Sequence, residues 1–230
     1  MKEFLTASSY VAVLLTLLAY ALGEYLKKKT KFALCNPLLI ASIVIIVYLI
    51  ASKTSVGEYR AKTEIINALL TPATVCFAIP LHRQFTLLKR NAAAVLCGIC
   101  CGILSCLVFT LMLSALFSFS HAEYVTFLPK SITTAIGMEV SAEYGGIVPV
   151  TVASIFITGV LGNVLAEPLF KLLHIKEPIA KGVGLGTAAH ALGTTKAMEL
   201  GETEGAMSSL SLVVAGVLTV CVAPLFVRLF

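Results

Sequence analysis

Apolar runs long enough to cross a lipid bilayer recur along this sequence, and no other property of it constrains the fold so tightly. They fall near Phe4 to Tyr25, Phe32 to Ile50, Ile65 to Leu81, Ala92 to Phe119, Ile147 to Leu173 and Ala206 to Phe230. A helix rises about 1.5 Å per residue and the hydrocarbon layer is about 30 Å thick, so roughly 20 apolar residues make one crossing. Lipid offers an exposed backbone no hydrogen-bond partner, so such runs fold as helices. Their unbroken hydrophobicity excludes the alternating strands of an outer-membrane barrel. Composition agrees: of 230 residues 58% are hydrophobic and 13% charged, too little polar surface for a water-soluble fold. The window from Ala92 to Phe119 exceeds a perpendicular crossing and is expected to tilt or to project beyond the bilayer.

The 17 Lys and Arg outnumber 12 Asp and Glu, yet they gather in short clusters between apolar runs, which is membrane topology rather than a nucleic-acid surface. Lys27 to Lys31, then Arg83, Lys89 and Arg90, then Lys171, Lys176 and Lys181 are assigned to the cytoplasm, which puts the N-terminus outside. Lys53, Arg60 and Lys62 run against that orientation. Ala19-Tyr20-Ala21 imitates a signal cleavage site, but Lys2 is balanced by Glu3 and the run ends in Lys27-Lys28-Lys29, so an uncleaved first helix is expected. Seven cysteines, mostly inside apolar runs, make no disulfide framework. Cys97 and Cys100 form a C-x-x-C without the second pair or His cluster of a zinc site, and small residues suit helix packing. No metal and no cofactor are expected. The sequence holds no Ser-His-Asp set, paired-carboxylate motif or phosphate-binding loop, so no catalytic residue is assigned and an enzyme is not expected.

Two stretches do not read as lipid-facing spans: Tyr124 to Tyr144 and Gly182 to Gly201. Backbone interrupted by Pro or Gly at membrane depth is tolerated where protein or a watery cavity satisfies it, so half-helices or re-entrant hairpins are expected. The two stretches also resemble one another. Met138 to Met198 and Gly145 to Gly205 are shifts of 60, the pairs Thr133-Thr134 and Thr194-Thr195 are offset by 61, and Pro168-Leu169-Phe170 recurs as Pro224-Leu225-Phe226 at 56. The unit is one broken segment plus one full span, a recognised transporter pattern. If each broken segment re-enters, the copies are inverted; if each crosses, they are parallel. The expected fold is thus an all-α polytopic membrane bundle of six to eight membrane segments. It forms a single integral membrane domain over 1–230, with N-terminal helices in 1–120 and repeat units in 121–173 and 174–230.

Lys130, Thr133 and Thr134 are spaced i, i+3 and i+4, so on one helix they would share a cationic, hydroxyl-bearing face. In the second copy Lys196 adjoins Thr194 and Thr195, with His190 six positions earlier. A half-helix turns backbone N–H groups and a positive dipole into a cavity, where a small organic anion is held. The competing reading is that Lys130 and Lys196 snorkel to an interface while the threonines cap helices or bond to carbonyls. Glu139 and Glu199 occupy equivalent positions and are candidates for proton coupling if buried. Glu199 lies three residues from Lys196, so a plain ion pair competes. His190 is either a titrating group or a hydrogen-bonded packing residue. Thr71, Pro72 and Pro80 in LLTPATVCFAIPL, with Pro129, Gly186 and Gly193, are assigned as breaks lining the cavity; a packing kink is the alternative in the third span.

In order, LLTPATVCFAIPL, LPKSITTAIGMEVSAEYGGI and GLGTAAHALGTTKAMELGETEGAMSSL resemble the LrgB/CidB family of bacterial membrane proteins over most of the chain. The resemblance implies two functions. One is carriage of small monocarboxylates of the pyruvate class, with glycolate and glycerate carried by a related plastid protein. The other is a holin- or antiholin-like regulation of murein hydrolases and lysis, exercised with a small membrane partner of the LrgA/CidA type. The motif positions are Thr71, Pro72, Pro80, Pro129, Lys130, Thr133, Thr134, Met138, Glu139, Gly186, His190, Gly193, Thr194, Lys196, Glu199 and Gly205. Lys196 stands where many relatives are expected to carry arginine, which keeps the charge and loses bidentate carboxylate geometry. The plastid relative has an extra N-terminal membrane module that is not seen here, so a separate partner subunit is expected. The resemblance also implies a multi-pass protein of the bacterial cytoplasmic membrane, and a homo-oligomer in the lipid bilayer is expected.

Overall fold

The computed structural model describes residues 9–30, 37–69, 72, 75–76 and 78–230, and among these it is helical with no strand. The chain divides into two compact units, Met1–Cys76 and Phe77–Phe230. Among the described residues four helices are long and apolar enough to cross a membrane: Ser9–Thr30, Lys89–Leu116, Val148–Leu172 and Glu202–Val227. Pro37–Ser52 and Val56–Lys62, bent by 117°, make a fifth if they are one span. The chain is an all-α, multi-pass membrane protein.

In the first unit α1 (Ser9–Thr30) ends on Lys27, Lys28 and Lys29, cations at the negative end of the helix dipole. It packs against α2 (Pro37–Ser52), which stops where Lys53 turns to φ 55°. Ser55 and Glu58 form a capping box that starts α3 (Val56–Lys62), followed by α4 (Glu64–Ala68). Tyr59 ties α3 to α1, its hydroxyl 2.8 Å from Thr16 Oγ1. Of the first two expected spans, Phe4 to Ser8 and Phe32 to Asn36 lie outside the described residues.

The second unit opens with α5 (Ala78–Arg83) and α6 (Phe85–Leu116). The expected span Ile65 to Leu81 is represented by α4 and α5, and Leu70, Thr71, Ala73, Thr74 and Phe77 between them lie outside the described residues. At 32 residues α6 is about 48 Å long, well beyond one perpendicular crossing. Val95, Ile99, Ile103 and Leu107 recur at every fourth residue of α6 and are buried, while Leu96, Leu104, Phe109 and Met112 are exposed on its outer side. In water such burial would contribute about 1.5–3 kcal/mol per side chain. Lipid removes that transfer term, so close packing and hydrogen bonds hold the unit together.

After α6 come α7 (His121–Phe127), α8 (Thr134–Glu143), α9 (Val148–Leu172), α10 (Pro178–Leu200) and α11 (Glu202–Val227). Only Gly201 separates α10 from α11, and these two helices make the most extensive contact in the unit. Gly182 and Gly186, one turn apart on α10, allow it: a Cβ at Gly182 would meet the Glu204 carbonyl, and one at Gly186 the Ser208 carbonyl. This small-xxx-small pairing brings backbone against backbone. α10 also packs against α9 and α6, so it lies at the centre of the unit.

Candidate functional site

The first interrupted stretch is two short helices around a turn. Ser120 and Glu123 cap α7, and Pro129, which has no N–H to continue a helix, lies buried in the turn that follows. Thr133, extended at φ −60° and ψ 144°, begins α8. Buried hydroxyls secure the arrangement. Thr126 Oγ1 accepts the Ile147 N–H at 2.8 Å, and Thr151 Oγ1 lies 2.7 Å from Ser141 Oγ and 3.0 Å from the Thr126 carbonyl oxygen. Lys130 precedes α8, so it does not share a helical face with Thr133 and Thr134 as the i, i+3, i+4 spacing suggested; the non-helical residues 131–132 and the extended Thr133 separate them. Thr133 makes no side-chain cap bond, and Thr134 and Glu139 are exposed. Lys130 Nζ instead donates to Thr110 Oγ1 at 2.5 Å and Cys106 Sγ at 3.2 Å, both on α6. Cys106 Sγ is also 3.1 Å from Ser131 Oγ. Among the described residues no carboxylate pairs with Lys130.

The second stretch is one long helix with a two-residue break. Ala189 (φ −126°, ψ 17°) and His190 (φ 43°, ψ −133°) leave helical geometry, flanked by Gly186 and Gly193. Those glycines provide close approach, Gly186 to α11 and Gly193 to the Leu185 carbonyl, while the unusual torsions fall on a non-glycine residue. Positive φ at such a residue costs about 1–3 kcal/mol and persists only where surroundings over-determine it. His190 meets that condition. Its Nε2 lies 2.9 Å from the Ile155 carbonyl oxygen, which only accepts, so Nε2 carries the proton. The ring sits against Gly159 of α9, where a Cβ would collide with it. Thr194 Oγ1 donates to the His190 carbonyl at 3.0 Å and lies 2.9 Å from Ser208 Oγ of α11, while Asn163 donates to the Leu192 carbonyl at 3.0 Å. Thr195 points elsewhere, exposed and bonded to the Ala191 carbonyl. Lys196 contacts Glu167 of α9 at 2.6 Å and Glu199 at 3.2 Å. The competing ion-pair reading of Glu199 is therefore realised.

Lys130 and Lys196 thus sit in different surroundings. Beside the Lys130 turn is a void of about 10 Å³ whose polar lining is Cys106, Ser131, Thr187 and Thr219; Lys196 is not part of it. An open cavity of about 440 Å³ lies at the other end of α9, lined by Lys171, His174, Lys176 and Lys181 with Glu167 and Phe170. Of the assigned breaks in the third span, Thr71 lies outside the described residues, Pro72 is exposed in the first unit, and Pro80 lies within α5 of the second. The sequence reading missed Cys106, Thr110, Ser131, Thr187, Thr219, Ser208 and Glu167. One signal was present: Cys106, Thr110 and Ser114 recur at every fourth residue in the largely apolar C-terminal half of α6.

The profile of the LrgB-like family matches residues 16–229. The antiholin-like protein LrgB of Bacillus subtilis (strain 168) is 37% identical over 225 residues, covering 97% of this chain and 97% of its own. Proteins of the same name from Bacillus mycoides (strain KBAB4) and Bacillus cereus (strain B4264) are 36% identical over 222 residues, covering 96% of each chain. No solved structure matches.

Proposed function

Because the chain belongs to the LrgB family, we propose that it acts as an antiholin-like membrane protein, regulating murein hydrolase activity and cell lysis with a small membrane partner of the LrgA/CidA type. The observation that carries this reading is the name its relatives share, over 97% of both chains in one case. Deleting the gene in its host and following autolysis and murein hydrolase activity tests it. Altered lysis that is restored by the gene together with its partner is the expected result; unchanged lysis would sink the reading.

A different observation favours a second reading, carriage of a small monocarboxylate of the pyruvate, glycolate or glycerate class. It is the break at His190, a strained interruption held by hydrogen bonds in the most central helix of the unit. Irregular backbone at membrane depth is the usual sign of a solute or ion site. Within this reading His190 and Thr194 have the support of burial and bonding, and the half-buried Lys130 that of bonding. Lys196, countered by Glu167 and Glu199, and Thr133, Thr134 and Thr195, on or near the surface, are weaker members, and Glu139 and Glu199 are left as coupling candidates.

This reading carries a finer fold: six to eight membrane segments, with α10 and the α7–α8 pair counted as re-entrant or crossing, and 121–173 and 174–230 as copies of one unit. In support, each copy sets an interrupted polar segment before a long apolar helix with an internal proline, Pro168 in α9 and Pro224 in α11. The proposed setting is a homo-oligomer in a bacterial cytoplasmic membrane. Purified protein in liposomes, given labelled pyruvate or glycolate with and without the partner, separates the readings. Saturable, competable uptake supports a carrier, unselective dye leakage supports a holin-like lesion, and inertness in both assays leaves regulation through the partner.

A further inference from the structure

Polar groups buried in a membrane protein almost always find partners, because neither lipid nor apolar packing can replace water. Thr187 does not. It is 7% exposed, its methyl group faces Gly102 of α6, and its Oγ1 has no hydrogen-bond partner among the described residues. The same residue lines the 10 Å³ void with Ser131, Cys106 and Thr219, a space that admits one oxygen-sized group. Lys130, whose Nζ meets the void-lining Cys106, reaches a hydroxyl and a thiol and no carboxylate among the described residues, whereas Lys196 is countered by two carboxylates. A half-buried ammonium with no carboxylate partner among the described residues, joined through Cys106 to a void that holds an unpaired hydroxyl, specifies what is missing: an anion with acceptor oxygens.

The geometry points to a carboxylate subsite formed by Lys130, Ser131 and Thr187, with Thr219 completing the wall. It rests on the carrier reading for the identity of the solute and assigns where its charged end is held. One carboxylate oxygen enters the void and accepts from Thr187 and Ser131, and the carboxylate replaces Thr110 and Cys106 as the partner of Lys130. The void is too small for the remainder of even a small solute, so this conformation is closed. Opening needs the Pro129 to Thr133 turn to part from α6, to which the side-chain bonds of Cys106 with Ser131 and of Lys130 with Thr110 and Cys106 hold it. Lys196 is already countered by Glu167 and Glu199, so the two copies of the motif contribute unequally.

Equilibrium binding of labelled pyruvate to the purified chain, alongside uptake in liposomes, tests this with wild type, Thr187→Val and Lys130→Gln. Valine preserves shape and removes only an unpartnered hydroxyl. Thr187→Val is therefore expected to melt at an equal or higher temperature while binding pyruvate roughly tenfold more weakly, the size of effect a charge-assisted hydrogen bond produces. Lys130→Gln is expected to lose binding. Acetate is expected to displace pyruvate and chloride is not; equal displacement by chloride overturns the carboxylate assignment. Uptake with unchanged binding in Thr187→Val and Lys130→Gln overturns the subsite and leaves the carrier standing. Binding that both variants weaken, without uptake, supports the subsite and overturns the carrier. Absence of both binding and uptake in wild type overturns both.

Discussion

The two interrupted segments share a sequence pattern and are built in opposite ways. The first, α7 to α8, is parted by a turn containing Pro129; its backbone is held by the hydroxyls of Thr126, Ser141 and Thr151, and its cation, Lys130, is left without a carboxylate among the described residues. The second, α10, continues through a break of two residues, held by His190 and Thr194 and pressed onto α11 backbone to backbone, with its cation doubly countered. Similar motifs therefore do not imply similar electrostatics. Part of the difference lies on other helices, Glu167 on α9 and Thr110 on α6, outside either copy of the motif, and part in Glu199 on α10 itself.

The largest expected effect exploits the unequal packing. A Cβ at Gly186 would meet the Ser208 carbonyl, part of a rigid helix, whereas one at Gly137 in the first segment would meet the tip of the Ile155 side chain, which can rotate. Gly186→Val should cost at least the roughly 1–3 kcal/mol typical of overpacking and abolish a monodisperse folded peak, since a backbone cannot yield as a side chain does. Gly137→Val should remain folded with a lowered melting temperature. Gly184, with nothing within 4 Å of the added Cβ, is the control on the same helix. Size-exclusion profiles with thermal melting read all three, and equal tolerance at Gly186 and Gly184 would contradict the α10–α11 packing.

Next in size is the break itself. In an ordinary helix interior Gly is less stable than Ala by about 0.5–1 kcal/mol. At φ 43° that order should reverse, because alanine keeps the strain while glycine relieves about 1–3 kcal/mol of it. His190→Gly should therefore melt above His190→Ala, with both below wild type for want of the bond to the Ile155 carbonyl. Alanine above glycine would mean that the helix runs straight through.

Much of this architecture was legible in advance, and the parts that were not share a cause. Membrane character, the long apolar helices and the positions of both interruptions follow from composition and from Pro and Gly, whose effects are local to the chain. The placement of Lys130 was not, because i, i+3 and i+4 spacing carries meaning only if the helix is continuous, and here Lys130 sits in a turn and Thr133 is extended. Nor was the fall of the break on His190, which depends on Gly159 and Ile155 of another helix. Thr187 reads as one small residue among many in a Gly-rich run, and its significance appears only beside Ser131 and Lys130.

Thr133 and Thr194 hold matching positions in the two motifs, and a moderate difference is expected between them. Thr194 is fully buried and bonded to the His190 carbonyl and Ser208, so Thr194→Val should cost about 1–3 kcal/mol, mainly by leaving Ser208 short of a partner. Thr133 stands at a helix N-cap without making the cap bond, so Thr133→Val should change stability by less than about 0.5 kcal/mol. Comparable losses at the two sites, read from paired melting curves, would show that the copies are more alike than their surroundings suggest.

The smallest effects concern Lys196. Its side chain is 11% exposed, but Glu167 and Glu199 are 47% and 43% exposed, so each ion pair should contribute no more than about 1 kcal/mol. One ammonium shared by two carboxylates is also redundant. Glu167→Gln leaves Glu199 in place, Glu199→Gln leaves Glu167, and in each case the mutual repulsion of the two acids is relieved. Either single change should be close to neutral in melting temperature, while the double change strips Lys196 of both carboxylates and should cost more than the sum of the two, a coupling that a double-mutant cycle isolates. Additive losses would mean that the two carboxylates act independently, and no loss in the double variant would remove the electrostatic contrast between the segments.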